Sequence, residues 1–112
     1  MEQAVLVTGG SGFLGINVIR HLLRNGVTDV RSIDLVPFDY PEQDRVKALV
    51  GDIRDMSALR EATAGVKWVV HTAAALPLYS EHDIMTTDVD GTRNVMAAAR
   101  EAGAERVVMI SS

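Results

Sequence analysis

Five short apolar runs, spread along the chain, constrain its fold more than any other feature of the sequence. The first of them, AVLVT, is rich in β-branched residues and is followed directly by two glycines. Short continuous runs of this kind are typical of strands that are buried on both faces of a parallel sheet. We predict the strands at Ala4–Thr8, Asp29–Leu35, Val46–Ile53, Val66–Ala75 and Glu105–Ser112.

The segments between these runs carry the periodicity of helices. After the first run, Leu14, Val18 and Leu22 fall on one face of a helix, and Ile19 and Leu23 lie beside them. An apolar stripe of this kind predicts an amphipathic helix that packs on the sheet. We predict helices at Phe13–Asn25, at Asp55–Thr63 with Asp55 as the N-cap, and from about Ser80 to Ala102.

Strands that alternate with helices are joined by right-handed crossovers, so the helices cover both faces of a parallel sheet. The predicted fold is therefore α/β, with five strands in the order 3-2-1-4-5. In this arrangement a ligand binds in a crevice beside the first strand, at the carboxyl ends of the strands. A chain of 112 residues is long enough for one such domain.

The composition narrows the classes of partner. The net charge is −4 and the eleven lysines and arginines are scattered, which argues against binding to nucleic acid or to an anionic membrane. No apolar stretch approaches the roughly 20 residues that span a bilayer, and the N-terminus lacks the pattern of a signal peptide. The chain has no cysteine and hence no disulfide. We expect a soluble cytoplasmic protein that binds a small molecule, and we predict no metal site.

A glycine-rich segment lies where the first strand gives way to the first helix. Its spacing, G-x-x-G-x-x-G at Gly9, Gly12 and Gly15, suits a turn that brings the backbone close to a pyrophosphate. The first N–H groups of the helix, near Phe13 and Leu14, have no partner inside it and form an anion site together with the helix dipole. The segment contains no lysine, which argues against a P-loop for nucleotide triphosphates. A turn that binds nothing is the alternative.

Asp34 lies at the end of the second predicted strand, nineteen residues after Gly15. A carboxylate at this place accepts hydrogen bonds from both hydroxyls of an adenosine ribose and repels a 2′-phosphate, so the sequence favours NAD over NADP. Arg31 precedes the acid rather than following it, which leaves NADP as the less favoured cofactor. A solvated loop carboxylate is the alternative for Asp34.

Five segments, in this order along the chain, carry a family resemblance: TGGSGFLG, GDIRD, VVHTAAA, DVDGTRNV and RVVMISS. They resemble the extended short-chain dehydrogenase/reductases, the NAD-dependent sugar epimerase/dehydratase group. The resemblance covers essentially the whole chain. It implies that residues 1–112 form a Rossmann-type NAD-binding domain with a truncated sheet, the N-terminal portion of a protein whose substrate-binding region is absent here.

The resemblance also implies cofactor contacts at the ends of the third and fourth strands. Asp52 would accept a hydrogen bond from the adenine amine, and Ile53 would pack along the ring. Thr72, Ala73 and Ala74 would line the middle of the cofactor, where small side chains let the backbone come close. The alternative for Asp52 is a turn cap ahead of the second helix.

Further roles implied by the resemblance lie in the last two segments. Ser112 matches the catalytic serine or threonine, whose hydroxyl hydrogen-bonds the substrate oxygen, and Ser111 would lie nearer the nicotinamide. The family carries asparagine at the position of Asp88, and an ionised carboxylate only accepts, so Asp88 loses any cofactor or backbone bond that needs a donor. We interpret His71 as a packed strand residue rather than a base.

The family's base is a tyrosine in a Tyr-x-x-x-Lys pattern, which this chain lacks. Tyr40 is followed four residues later by Asp44, and Tyr79 by Asp83. We therefore expect the 112-residue chain to hold the cofactor weakly without turning over substrate.

For the parent protein, which we expect to be a homodimeric enzyme, the leading hypothesis is an NAD-dependent epimerase or dehydratase that acts on a nucleotide sugar by hydride transfer. A hydroxysteroid or other alcohol dehydrogenase of the same superfamily is one alternative. A non-catalytic module that senses NAD(P) is another.

Overall fold

A computed structural model of the chain describes residues 3–72 and 86–110, without the side chains of residues 86–88. The sheet has five parallel strands in the order β3-β2-β1-β4-β5, as predicted. The strands are β1 (Ala4–Thr8), β2 (Asp29–Asp34), β3 (Val46–Val50), β4 (Trp68–His71) and β5 (Arg106–Met109). The helices within the described ranges are α1 (Phe13–Arg24), α2 (Met56–Thr63) and α3 (Thr92–Glu101), with a 3₁₀-helix at Pro41–Arg45 and a π-helix at Thr86–Gly91.

Strand β1 lies at the centre of the sheet and is buried along its whole length. Its continuous apolar run follows from this position, because both of its faces are covered by helices. It pairs with β2 on one side and with β4 on the other, and Thr8 at its end lies in register with both Ile33 and His71. The carboxyl ends of β1, β2 and β4 therefore meet at one edge of the sheet.

The core has two layers, one on each face of the sheet. Val5 and Val7 of β1 face α1 and pack with Ile19, while Leu6 points to the opposite face and packs with Leu59 of α2. Leu6, Ile19 and Leu59 are fully buried. Each such side chain contributes on the order of 1.5–3 kcal/mol through removal of its apolar surface from water.

The apolar stripe of α1 is rotated from its predicted position. The buried positions of this helix are Ile16, Ile19 and Leu23. The predicted stripe, which runs from Leu14 every fourth residue to Leu22, lies half-buried beside them. The prediction of the stripe's centre was wrong because the contact between the helix and the preceding glycine turn sets which face meets the sheet.

Four predicted strands are longer than the observed ones, all but the first, and the third and fourth show how local turns limit them. Strand β3 stops at Val50, and the chain then turns so that the carbonyl of Asp52 accepts from the N–H of Asp55 at 2.9 Å. Ahead of β4, the N–H of Val66 donates to the carbonyl of Thr63 at 2.9 Å, so Val66 closes the turn after α2 rather than pairing in the ladder.

The sequence patterns missed one short helix and did not distinguish the type of another. The 3₁₀-helix lies in the proline-containing loop between β2 and β3, and the π-helix forms the start of the predicted long helix that α3 continues. The earlier part of that predicted helix, residues 80–85, lies outside the described residues. Within the described ranges, none of the helices has the length and apolar character that crossing a membrane requires.

Candidate functional site

The glycine turn joins β1 to α1 and is held by backbone hydrogen bonds. Gly9 has a φ of +73°, a conformation that side chains disfavour, and its N–H donates to the carbonyl of Ile33 in β2 at 2.8 Å. The N–H of Gly12 donates back to the carbonyl of Gly9 at 3.1 Å. The predicted role of Gly9 in allowing the turn is therefore visible in its backbone conformation.

Two further glycines are required by close packing. A Cβ atom at Gly15 would overlap the carbonyl oxygen of Gly9 and lie 2.8 Å from the Cα of Gly10. A Cβ atom at Gly10 would in turn overlap the side chain of Ser32 and lie 2.9 Å from Ile19. Gly15 thus lets α1 pack on the turn itself, and Gly10, to which the sequence pattern assigned no role, lets the turn pack on β2. A fourth glycine within nine residues was the available signal for Gly10.

The N-terminus of α1 is open to a ligand. Its N-cap is Gly12, which provides no side-chain cap, and the first turn holds no acidic residue. Within the described part of the chain, no group accepts a hydrogen bond from the N–H of Phe13 or Leu14. Phe13 is 86% exposed, so its own side chain is not packed over the terminus by the described residues. Two donors at the positive end of a helix dipole can therefore hold an anion.

Asp34 is fixed against the glycine turn. Its Oδ2 accepts from the N–H of Ser11 at 3.0 Å, and its Oδ1 accepts from the N–H of Val36 at 3.3 Å. Each carboxylate oxygen keeps lone pairs for a further donor, because a carboxylate offers about four acceptor sites. The structure therefore brings Asp34 to the same edge of the sheet as the open end of α1.

Arg31 does not contribute a positive charge beside Asp34. Its guanidinium bonds to Asp29 at 3.2 Å, on its own strand, and donates to the carbonyl of Ala64 at 2.5 Å. The pairing with Arg31 lowers the pKa of Asp29 below its ordinary value, since the guanidinium stabilises the carboxylate form. Both contacts direct the Arg31 side chain toward Asp29 and the end of α2.

Asp52 and Ile53 lie at the end of β3, and both already have partners. Asp52 accepts from the Arg54 guanidinium at 2.7–3.1 Å, and this hydrogen-bonded pair lowers the pKa of the Asp52 carboxyl despite its partial burial. Ile53 is 5% exposed and packs directly under Gly91. A small part of Ile53 therefore faces outward, while its bulk belongs to the core.

A buried polar network joins the ends of β1 and β4 to the start of α3. His71 is 5% exposed, and its Nδ1 lies 2.6 Å from the hydroxyl of Thr8. Its Nε2 lies 3.0 Å from the hydroxyl of Thr92. Thr72 follows with its N–H donating to the Thr8 hydroxyl at 3.0 Å. The interpretation of His71 as a packed strand residue agrees with this burial. The hydroxyl of Thr72 lies 3.5 Å from the Gly9 carbonyl oxygen, and its role in lining the cofactor stays a prediction.

Five predicted site residues lie wholly or partly outside what the structure describes. Ala73, Ala74, Ser111 and Ser112 fall outside the described residues, and the side chain of Asp88 is not described. Their assignments stay predictions.

Two residues that the sequence patterns missed, Ser11 and Tyr40, join the loop after β2 to the glycine turn. The carbonyl of Ser11 accepts from the hydroxyl of Tyr40 at 2.6 Å, and the Ser11 hydroxyl lies 3.2 Å from the carbonyls of Val36 and Pro37. The sequence analysis noted only that no lysine follows Tyr40 four residues later. An aromatic residue in a proline-containing loop is too common a pattern to have assigned it this contact.

The model of the 3-beta hydroxysteroid dehydrogenase/isomerase family matches residues 6–112. The chain belongs to this family. One member, the 3-beta-hydroxysteroid dehydrogenase of Mycolicibacterium neoaurum, is 37% identical over 116 residues, which cover 96% of the chain and 31% of the relative. The chain therefore spans about a third of the length of this relative.

Solved structures agree with the fold and with the family. A short-chain dehydrogenase/reductase superfamily protein from Agrobacterium tumefaciens, solved with bound NAD, has a TM-score of 0.86 at 33% identity, over 98% of this chain and 33% of that one. WbmG of Bordetella bronchiseptica, solved in complex with NAD and UDP, has a TM-score of 0.82 at 31% identity, over 97% of this chain and 37% of that one. These findings confirm the Rossmann-type fold and the resemblance to the extended short-chain dehydrogenase/reductases. The matching family model is that of the hydroxysteroid enzymes, which the sequence analysis held as an alternative to the sugar enzymes.

Proposed function

We propose that this chain binds NAD at the carboxyl ends of β1 and β2 and forms the cofactor-binding part of an NAD-dependent oxidoreductase. The observation that carries the proposal is that two sites lie together at one edge of the sheet, one that donates hydrogen bonds and one that accepts them. The open N–H groups at the start of α1 suit a pyrophosphate, and the backbone-held carboxylate of Asp34 suits a ribose diol. The bound NAD of the Agrobacterium tumefaciens protein supports the choice of cofactor.

The glycine turn fits the proposed pyrophosphate. A Cβ atom at Gly12 would find no described atom closer than the Gly9 carbonyl oxygen, at 3.4 Å, so the space above Gly12 is free for a ligand. Phe13 and Leu14 would donate their N–H groups to its oxygens. When bound, NAD supplies the acceptor for a hydride from an alcohol carbon.

We propose that the adenine lies beyond Asp34, near Asp52 and Ile53. The Arg54 guanidinium holds the carboxylate of Asp52, so an adenine amine would share this acceptor with Arg54. Because Ile53 is almost fully buried, only the outward edge of its side chain is left for contact with the adenine ring. Thr72, Ala73, Ala74 and Asp88 would line the cofactor further along.

The 3-beta hydroxysteroid dehydrogenase/isomerase family model favours a hydroxysteroid or a similar alcohol as the substrate of the full-length protein. Ser112 would hydrogen-bond the substrate oxygen, and Ser111 would lie on the nicotinamide side. A nucleotide sugar is the second candidate, and the UDP in the Bordetella bronchiseptica structure is the observation that supports it. A longer protein that carries this sequence can be assayed through NADH absorbance with both kinds of substrate. Oxidation of a 3β-hydroxysteroid but of no UDP-sugar would favour the hydroxysteroid over the nucleotide sugar.

The 112 residues alone would bind NAD without catalysing hydride transfer. The reason is chemical: the sequence has no tyrosine followed four residues later by a lysine, and such a pair lowers the pKa of the phenol that acts as the base. Turnover of an alcohol by the purified 112-residue chain would overturn this proposal.

The cofactor assignment is tested by calorimetry of NAD and NADP with the wild-type chain and with Asp34→Asn. We expect the wild type to bind NAD more tightly, and we expect Asp34→Asn to weaken NAD binding by about tenfold, the loss of one charge-assisted hydrogen bond or slightly more. Asp39→Asn, an exposed acid in the loop after β2, is the matched control and should change neither affinity. Tighter binding of NADP by the wild type would contradict the role of Asp34.

A further inference from the structure

The loop after β2 is bonded to the glycine turn through a single residue, Ser11. We call residues 36–40 of this loop the strap. The Ser11 hydroxyl lies 3.2 Å from the carbonyls of Val36 and Pro37, and the Ser11 carbonyl accepts from the hydroxyl of Tyr40 at 2.6 Å. On its other side, the N–H of Ser11 donates to Asp34. Every polar group of Ser11 is therefore engaged by Asp34 or by the strap.

The ring of Tyr40 is itself held in place from two directions. The ring of Phe38, which is 6% exposed, lies 5.1 Å from it between centroids. The guanidinium of Arg20 lies 5.5 Å from the ring centroid, and Glu42 fixes that guanidinium at 2.7 Å. Because the ring cannot easily move, its hydroxyl is a fixed donor rather than a freely rotating surface group.

The bond from Tyr40 orients the peptide that leads into α1. The carbonyl of Ser11 and the N–H of Gly12 belong to one planar peptide group, so holding one fixes the direction of the other. With the Ser11 carbonyl held by Tyr40, the Gly12 N–H points to the carbonyl of Gly9. The peptide on the other side of Ser11 presents its N–H to Asp34.

We infer that Tyr40 is a positioning residue for the cofactor, acting through Ser11 on the carboxylate of Asp34. This inference rests on the proposed function, since it assigns Asp34 to the adenosine ribose. The Ser11 hydroxyl also donates to carbonyl groups of the strap, those of Val36 and Pro37. That donor is thereby withdrawn from a 2′-phosphate, so the strap and Asp34 act together in selecting NAD over NADP.

The test is Tyr40→Phe, which keeps the aromatic ring and removes only the hydroxyl. We expect NAD to bind about fivefold more weakly by calorimetry, the size of one lost hydrogen bond. NADP, which gains nothing from an oriented Asp34, should lose less affinity, so the ratio of the two affinities should narrow. Asp44→Asn, at an exposed acid that follows the strap, should leave both affinities within twofold of the wild type.

A double-mutant cycle separates positioning from a general loss of structure. In the Asp34→Asn background, Tyr40→Phe should change NAD affinity by less than about twofold, because the group through which it acts is altered. An unchanged fivefold effect in that background, or an equal loss for NAD and NADP, would overturn the inference. So would NAD affinity of Tyr40→Phe equal to that of the wild type.

Amide hydrogen exchange at Ser11, followed by NMR, gives a readout without ligand. Tyr40→Phe should accelerate exchange of the Ser11 N–H at least threefold, while amides in the middle of β1 keep their protection. If the wild type binds no NAD, the proposed function fails and the cofactor role of Tyr40 fails with it. If the wild type binds NAD and Ser11 exchange is unchanged in Tyr40→Phe, the inference alone fails.

Discussion

Helices α1 and α2 both follow a strand of the sheet, and their N-termini are built in opposite ways. In α2, the N-cap Asp55 accepts from the N–H of Ser57 at 3.0 Å. In α1, the N-cap Gly12 provides no acceptor, and the first N–H groups have none within the described chain. An N-cap side chain contributes about 1 kcal/mol to helix stability, so α1 forgoes a stabilising feature that α2 has. The difference is the one that the proposed pyrophosphate site requires, because it leaves the first N–H groups of α1 available to a ligand.

Placing an acidic cap on α1 would make the two termini alike. Gly12→Asp should weaken NAD binding by about 100-fold, since its carboxylate takes the free N–H groups and repels the pyrophosphate. The free energy of unfolding should stay the same or rise by a few tenths of a kcal/mol, because the backbone at Gly12 is extended and Asp is at least as good a cap as glycine. Calorimetry and urea unfolding measure the two effects.

Gly12→Asn is the matched control, with a side chain of the same size and capping ability but no charge. The Gly12→Asn variant should bind NAD about tenfold more tightly than the Gly12→Asp variant does. Equal affinities of the two variants would contradict the assignment of an anion to this helix terminus.

The packing of α1 on the glycine turn should tolerate an added methyl group less well than the packing at the end of the π-helix. Gly15→Ala should lower the free energy of unfolding by about 3 kcal/mol, because its Cβ would overlap backbone atoms that cannot move aside. Gly91→Ala is the comparison, since its Cβ would meet side-chain rather than backbone atoms, the Cδ1 of Ile53 at 2.5 Å and its Cγ1 at 2.6 Å. We expect a loss within about 1 kcal/mol there, as a side chain can rotate away and alanine favours helical backbone. Urea unfolding of both variants would refute this ranking if Gly91→Ala lost more.

The cap of α2 predicts a smaller effect. Asp55→Ala should lower the free energy of unfolding by about 1 kcal/mol, through loss of the bond to the Ser57 N–H. Its effect on NAD affinity should be absent, in contrast to any change at the α1 cap. Asp39→Ala, which removes an exposed acid with no described contact, controls for the change in net charge. A loss of NAD affinity in Asp55→Ala would show that the two termini are not functionally distinct.

The smallest expected effect concerns Asp52, which lies in the turn between β3 and α2. Arg54 lowers the pKa of Asp52, so the pair stabilises the folded chain above the pKa of the unfolded carboxyl, 3.8, and loses that contribution as the pH falls through the lower folded pKa. Arg54→Gln should therefore be less stable than the wild type at pH 6, with the difference shrinking below about pH 4. Urea unfolding across this range measures it. Asp29, whose pKa is lowered by Arg31, should titrate unchanged in Arg54→Gln.

What the sequence could predict was local. The glycine turn, with its positive φ at Gly9, and the position of Asp34 at the end of β2 follow from short stretches of sequence. The strand order follows from the repeated alternation of apolar runs with helical periodicity. The rotation of α1 could not be read in this way, because Ile16 and Leu14 are equally apolar. Only the contact of Gly15 with the turn decides between their faces.

The strap could not be predicted either. Tyr40 bonds to a residue 29 positions away, and a tyrosine hydroxyl has no sequence pattern that points to a backbone carbonyl. The partner of Asp52 raises a related point. Arg54 lies two residues after Asp52 in the sequence, but whether its guanidinium donates to the Asp52 carboxylate depends on the turn that follows β3.

The buried contact between Thr8 and His71 has a consequence for how the chain acquires its site. These residues are 63 positions apart, and their pairing joins β1 to β4. Contacts of such sequence separation are costly in chain entropy and tend to slow folding. The edge that carries the glycine turn is complete only once this closure has occurred, so a collapsed intermediate without it would offer no cofactor crevice. Ligand added during refolding would then trap the finished chain and leave the rate of its formation unchanged.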